Sequence, residues 1–131
     1  MNKKHSEVLL ISPPFSGDEI VGETKSMSNV MNLIPPLGLG YIASSLESAG
    51  YEGKIKIIDC QMGITIKSLG PILEKEKAEV IGITCTTPSF ESALETIKII
   101  KKLFPQAIII IGGAHVTALP EYTMESNFFD Y

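Results

Sequence analysis

Apolar residues in this chain arrive in short blocks of two kinds, and the two kinds alternate along it. Blocks of the first kind are compact and rich in β-branched side chains: Glu7–Ser12 (EVLLIS), Lys54–Asp59 (KIKIID), Glu79–Thr84 (EVIGIT) and Ile108–Ile111 (IIII). Each is too short for an ordinary helix and ends at a proline, a glycine or a polar turn, so each predicts a strand. The four isoleucines are apolar on both faces, as in a parallel sheet covered by helices. KIKIID instead alternates isoleucine with lysine, which suits a sheet edge.

Blocks of the second kind repeat at helical spacing. Leu39, Ile42, Ala43 and Leu46 share one face of a helix from Pro36 to about Ala49, with Gly50 as its stop. Phe90, Ala93, Leu94, Ile97, Ile100 and Phe104 give the cleanest period in the chain, closed by Pro105. Thr87 is placed to cap that helix and Pro88 to open it. Between residues 66 and 77 the pattern predicts a helix mainly in its second half (ILEKEK), with Gly70-Pro71 breaking or starting it. A short helix is expected around Leu119–Glu125, and Phe128–Tyr131 reads as the start of a fifth strand.

Strands alternating with helices predict right-handed βαβ units and a parallel sheet. Five strands in one domain favour a flavodoxin-like, Rossmann-like α/β fold of strand order 2-1-3-4-5 with helices on both faces. In that order strands 1, 3 and 4 are neighbours. The loops Ser12–Pro14, Thr84–Pro88 and Gly112–Thr117 therefore meet at one edge, and a ligand site is expected there. The stretch Phe15–Ile34 has no clear period, and a loop of that length in a compact domain is usually functional or disordered.

Composition narrows the classes. The 131 residues suit a single domain, and 44% hydrophobic content is enough for one core. The formal charge is 11 − 15 = −4, and every cation is a lysine. Without arginine or a basic cluster, a nucleic-acid footprint is missing. No apolar run approaches the ~20 residues that span a bilayer. The opening MNKKHSEVLLISPP has too short an apolar stretch for a secretory signal. Cys60 and Cys85 stand apart with no C-x-x-C spacing, which points to a reducing cytoplasm rather than a disulfide framework.

Two glycines close the isoleucine run. Gly112-Gly113 either makes a tight turn or strips the backbone of side chains so that a bulky group can approach. Gly38 and Gly40, in the first turns of a helix, cost about 1 kcal/mol each relative to alanine. They open the same choice between close helix–sheet packing and ligand contact. A dinucleotide site would need G-x-G-x-x-G after the first strand, where the chain reads Ser-Pro-Pro-Phe-Ser-Gly. A G-K-[ST] phosphate loop is absent, and two prolines remove N–H donors that a flavin-phosphate loop depends on. Ser12 and Cys85 stand where a response-regulator domain would carry acids. His5 lies near the terminus, and His115 alone is no metal site, since closed sites take about four ligands. Asp59 serves equally as a turn cap or a ligand group, and Cys85 reads as a small hydrophobe. The residues by themselves predict a cofactor-binding α/β domain with no catalytic apparatus of its own.

The ordered series LLISPPF, PPLGLGYIASSLESAGY, IID, IGITCTTPSF and IIIGGAHVTALPE resembles one family over nearly the whole chain. It looks like the N-terminal cobalamin-binding domain of cobalamin-dependent radical S-adenosylmethionine enzymes. The resemblance implies a flavodoxin-like fold that grips the cobalamin nucleotide tail at its strand ends. The corrin would face a separate catalytic domain. By the same resemblance Gly112 and Gly113 match the Gly-Gly that leaves room for the tail. Thr84 and Thr86 stand where a hydroxyl meets the tail's base, in a loop that also holds Cys85 and Thr87. Ser12, Pro13 and Pro14 match the first-loop S-P-P, and Pro36, Leu37 and Gly38 the P-L-G entering the first helix. His115 and Thr117 match the continuation G-G-x-H-x-T.

The D-x-H-x-x-G motif, whose histidine ligates cobalt in many related domains, is missing, so a base-off cofactor with no such ligand is implied. Also missing is the C-x-x-x-C-x-x-C that holds a four-iron four-sulfur cluster. The chain is thus expected to be a single domain, 1–131, excised from a longer methyltransferase or ring-forming enzyme. The cluster and S-adenosylmethionine would belong to the downstream domain, and this chain alone would catalyse nothing. The competing expectation is a free-standing flavin- or nucleotide-binding electron carrier.

Overall fold

A computed structural model describes residues 7–14 and 34–131. The described residues form four strands: β1 (Val8–Ser12), β2 (Ile55–Asp59), β3 (Val80–Thr84) and β4 (Ile108–Gly112). They pair in the order β2-β1-β3-β4, every pair parallel. Five α-helices accompany them: α1 (Leu37–Ser48), α2 (Ile66–Leu73), α3 (Phe90–Leu103), α4 (Ala114–Ala118) and α5 (Pro120–Met124). This is the flavodoxin-like, Rossmann-type α/β fold that the alternating blocks predict, with the lysine-bearing strand at an edge. Lys56 of that edge strand pairs with Glu76, and Lys54 stands 3.8 Å from the same carboxylate.

Register divides the core in two. Leu10 is level with Ile57 and Gly82, and Gly82 with Ile110, so these four positions share one face. The opposite face carries the larger cluster, in which Leu9, Ile11, Ile81, Ile83, Ile109 and Ile111 lie against Leu69 and Leu73 of α2 and Ala93, Ile97 and Ile100 of α3. On the first face Val8 and Leu10 pack against Leu39 of α1. Helix α1 covers only that half. Ile108 and Ile110 of β4 remain 45% and 40% exposed, and Ile42, expected on the buried side of α1, is 48% exposed.

Several local expectations are corrected. Between residues 66 and 77 the helix, α2, occupies the first half, Ile66–Leu73, rather than the second, with Pro71 inside it. Thr65 caps it: its hydroxyl accepts from Ser68 N at 3.3 Å while Ser68 Oγ accepts from Thr65 N at 2.9 Å. Thr86, rather than Thr87, caps the turn before α3. The Thr86 N–H donates to Ser89 Oγ at 3.0 Å, and a 3₁₀ turn, Thr87–Ser89, leads into the helix. After the glycine pair the chain is helical at once, as α4, before α5 begins at Pro120.

The expected fifth strand begins to pair without forming a strand. Asp130 N donates to Ile109 O at 2.9 Å, and Ile111 N donates to Tyr131 O at 2.8 Å, on the free side of β4. His5 and most of the aperiodic stretch, 15–33, lie outside the described residues.

Candidate functional site

The crossover from β1 leads to one side of the sheet and that from β3 to the other. Their carboxyl ends are therefore the topological switch point where open α/β sheets bind ligands. A cavity of about 250 Å³ lies there. Ser12 at the end of β1 and Thr84 at the end of β3 line it, joined by Thr86 from the following loop. The opposite wall is the start of α1: Pro35, Pro36, Gly38 and Leu39, with Ile34 before them. Gln61 and Pro88 complete the lining, and no charged side chain takes part among the described residues. A side chain at Gly38 would meet nothing within 4 Å. The first turn of α1 holds no acidic residue and no side-chain cap.

The glycine pair separates into two roles. Gly112 is level with Thr84, on the cavity side of the sheet, and a Cβ there would meet nothing within 4 Å. Gly113 has φ 118° and ψ −174°, a conformation that is essentially glycine's alone. A Cβ on it would stand 2.5 Å from the carbonyl oxygen of Cys85. Two backbone hydrogen bonds lock this approach: Cys85 N to Gly112 O at 2.7 Å, and His115 N to Cys85 O at 3.2 Å. Room at Gly112 is thus open space, whereas the room at Gly113 is filled by the chain's own backbone.

His115 is buried and does not line the cavity. Its ring stacks on Phe90 at 4.2 Å between centroids, with Tyr122 edge-on at 6.2 Å. Its Nδ1 is 3.2 Å from Thr87 Oγ1, while its buried Nε2 has no partner among the described residues. Thr117 donates from its hydroxyl to the Gly113 carbonyl at 3.0 Å and so braces the glycine turn. Pro13 and Pro14 are buried, and the Pro14 carbonyl accepts a hydrogen bond from Ser92 of α3. Leu37 is 65% exposed.

Of the fourteen residues expected at the site, the cavity thus gathers Ser12, Pro36, Gly38, Thr84 and Thr86, with Gly112 beside them. Cys85, Thr87, Gly113, His115 and Thr117 form a frame behind it. Gln61 was not anticipated. The signal for it was the strand order, because β2 lies beside β1 and so delivers the turn after Asp59 to the same edge.

Both cysteines are free and buried. Burial pushes the Cys60 thiol up to about 12, with the Asp59 carboxylate adding to the rise. Burial pushes Cys85 up to about 11 against the pull of a hydrogen bond with Ser89. Both thiols stay protonated at neutral pH, and iodoacetamide should label them slowly in the folded chain and readily in denaturant. An unfolded thiol ionises near 9.0 and these only at about 11 and 12, so their contribution to stability is complete below 9.0 and lost as pH rises through the folded values. Thermal midpoints should fall accordingly on the alkaline side. No group of three or more potential metal ligands occurs among the described residues. No helix there is long and apolar enough to cross a membrane.

An open parallel sheet with a hydroxyl-bearing cavity at its switch point defines a cofactor-binding α/β domain. The chain belongs to the B12 binding domain family, whose sequence profile matches residues 25–131. It is 34% identical over 124 residues to an uncharacterized methyltransferase of Pyrococcus horikoshii, covering 92% of this chain and 24% of that protein. It is 26% identical over 126 residues to the anaerobic magnesium-protoporphyrin IX monomethyl ester cyclase of Rubrivivax gelatinosus, covering 94% and 21%. Among solved structures, the radical S-adenosylmethionine methyltransferase TsrM from Kitasatospora setae superposes with a TM-score of 0.68 at 18% identity, over 94% of this chain and 22% of that one. That likeness concerns the fold. The chain spans about a quarter of the length of these relatives.

Proposed function

We propose that this chain binds cobalamin at the switch-point cavity and presents it to a radical S-adenosylmethionine domain. The observation that carries the reading is the coincidence of family and site: a B12 binding domain sequence whose cavity lies at the carboxyl ends of β1 and β3. The residues fit the group. Pro35, Leu39, Ile34 and Pro88 offer apolar walls for the base of the nucleotide tail, and the hydroxyls of Ser12, Thr84 and Thr86 offer hydrogen bonds to its polar atoms. Gly38 and Gly112 leave the space that side chains would fill. When bound, cobalamin supplies cobalt chemistry suited to methyl transfer or one-electron exchange.

The four-iron four-sulfur cluster and S-adenosylmethionine are assigned to a separate domain, in keeping with relatives about four times as long. Two buried, protonated thiols cannot hold such a cluster. Methyl transfer is the reaction this reading favours, with the Pyrococcus relative in support. A cytoplasmic setting is part of this proposal, on the isolated spacing of Cys60 and Cys85 in the sequence.

Incubation with cobalamin or with FMN, followed by desalting and an absorption spectrum, tests the reading. Retention of cobalamin alone is expected. Retention of FMN alone would replace it with the electron carrier.

Cobalt should be bound base-off and without a protein histidine. His115 is the one histidine among the described residues, and it is held between Phe90 and Thr87 away from the cavity. Electron paramagnetic resonance of the Co(II) form should show no splitting from an axial nitrogen. Clear nitrogen splitting that disappears in His115→Ala would overturn this assignment.

A further inference from the structure

Gln61 reaches the cavity from the sheet edge, on a 3₁₀ turn (Cys60–Met62) that follows β2 directly. The turn is firmly placed. The Gln61 N–H donates to Asp59 Oδ1 at 3.1 Å, Cys60 beside it is buried in the main core, and Gly63 closes the turn at φ 92°. The other polar groups of the lining are smaller or already engaged, as Thr86 Oγ1 is with Ser89 Oγ at 3.0 Å. The Gln61 side chain makes no hydrogen bond among the described residues. A fixed turn therefore holds a carboxamide unpartnered among the described residues, with two N–H donors and one acceptor, at the wall of a cavity whose described lining carries no charge.

We infer that Gln61 is a binding residue that donates to the phosphodiester of the cofactor's nucleotide tail. The inference rests on the cobalamin reading. Its chemistry follows from the lining. The apolar walls suit the base, which leaves the anionic linkage to the polar groups. A carboxamide can meet an anion with N–H donors and bring no charge of its own into the cavity. A glutamate of the same size would offer only acceptors and a repelling charge.

Titrating the 131-residue chain with cobalamin and with cobinamide, which keeps the corrin and lacks the nucleotide, tests this directly. Gln61→Leu should weaken cobalamin by roughly tenfold to a hundredfold, the usual range for one hydrogen bond to a charged group. Gln61→Glu should weaken it further. Cobinamide affinity should be unchanged in both variants, as should the thermal midpoint, because the side chain bonds to none of the described residues. Wild-type affinity for cobalamin in Gln61→Leu would overturn the inference, and so would an equal loss for both ligands, which marks a structural role. If Gln61→Leu melts early, the same comparison in Gln61→Glu decides. A wild-type chain that binds neither ligand would instead remove the cobalamin reading itself.

Discussion

Alanine at Gly113 should destabilise the fold more than any other single methyl group added to it. The residue sits at φ 118° and ψ −174°, where a side chain costs about 1–3 kcal/mol for the backbone alone. The new Cβ would also stand 2.5 Å from Cys85 O and 3.0 Å from Cys85 N, and neither is a flexible atom that can turn away. Relief requires the β4–α4 turn to move off the β3 loop. That movement stretches the bonds from Cys85 N to Gly112 O and from His115 N to Cys85 O, each worth about 1 kcal/mol. A total loss of about 3 kcal/mol or more is expected, or roughly 10 °C in the melting midpoint of a domain this size. Circular dichroism melts measure it. A midpoint within a degree or two of the wild type would mean that the turn has slack the geometry does not show.

Valine at the neighbouring Gly112 should do the reverse. Gly112 has no positive φ, and a Cβ there would touch nothing within 4 Å. Valine is at home in a strand, so stability should change by less than about 1 kcal/mol. The side chain would nevertheless stand beside Thr84 on the cavity side of the sheet, in space assigned to the cofactor. Overfilling a fitted site costs about 1–3 kcal/mol, so cobalamin affinity should drop by roughly tenfold to a hundredfold. A folded Gly112→Val chain that binds cobalamin as tightly as the wild type would show that the tail lies elsewhere. Read together, the two variants separate a glycine the fold requires from one the ligand requires.

Adjacent glycines look alike in a sequence, and that explains why the motif could be recognised without being divided. Their roles depend on φ at Gly113 and on the nearness of Cys85, which lies 28 positions earlier. The strands were legible because their signal is local: β-branched runs bounded by prolines, glycines and polar turns. Their parallel order followed from the alternation with helices. Helix α2 was misplaced because Gly70-Pro71 looked like a boundary. The capping pair Thr65 and Ser68 outweighs it, and the carbonyl left without a donor by Pro71 belongs to Lys67, which is exposed and can meet water. His115 looked like a site residue from its place after the glycines. The immediate start of α4 instead turns it onto Phe90, a contact between distant segments that no local pattern records. Gln61 went unseen for a related reason, since only the adjacency of β2 and β1 brings it to the cavity.

Cobalamin is proposed to occupy the cavity at the carboxyl ends of β1 and β3. Amide nuclear magnetic resonance of the ¹⁵N-labelled chain during a cobalamin titration tests it most directly. Saturable shifts centred on Ser12, Gly38, Gln61, Thr84 and Gly112, with the amides of α2 and the middle of α3 left in place, are the predicted result. Shifts centred on the face that α2 and α3 cover, or no saturable shift at all, would mean that cobalamin does not occupy this cavity.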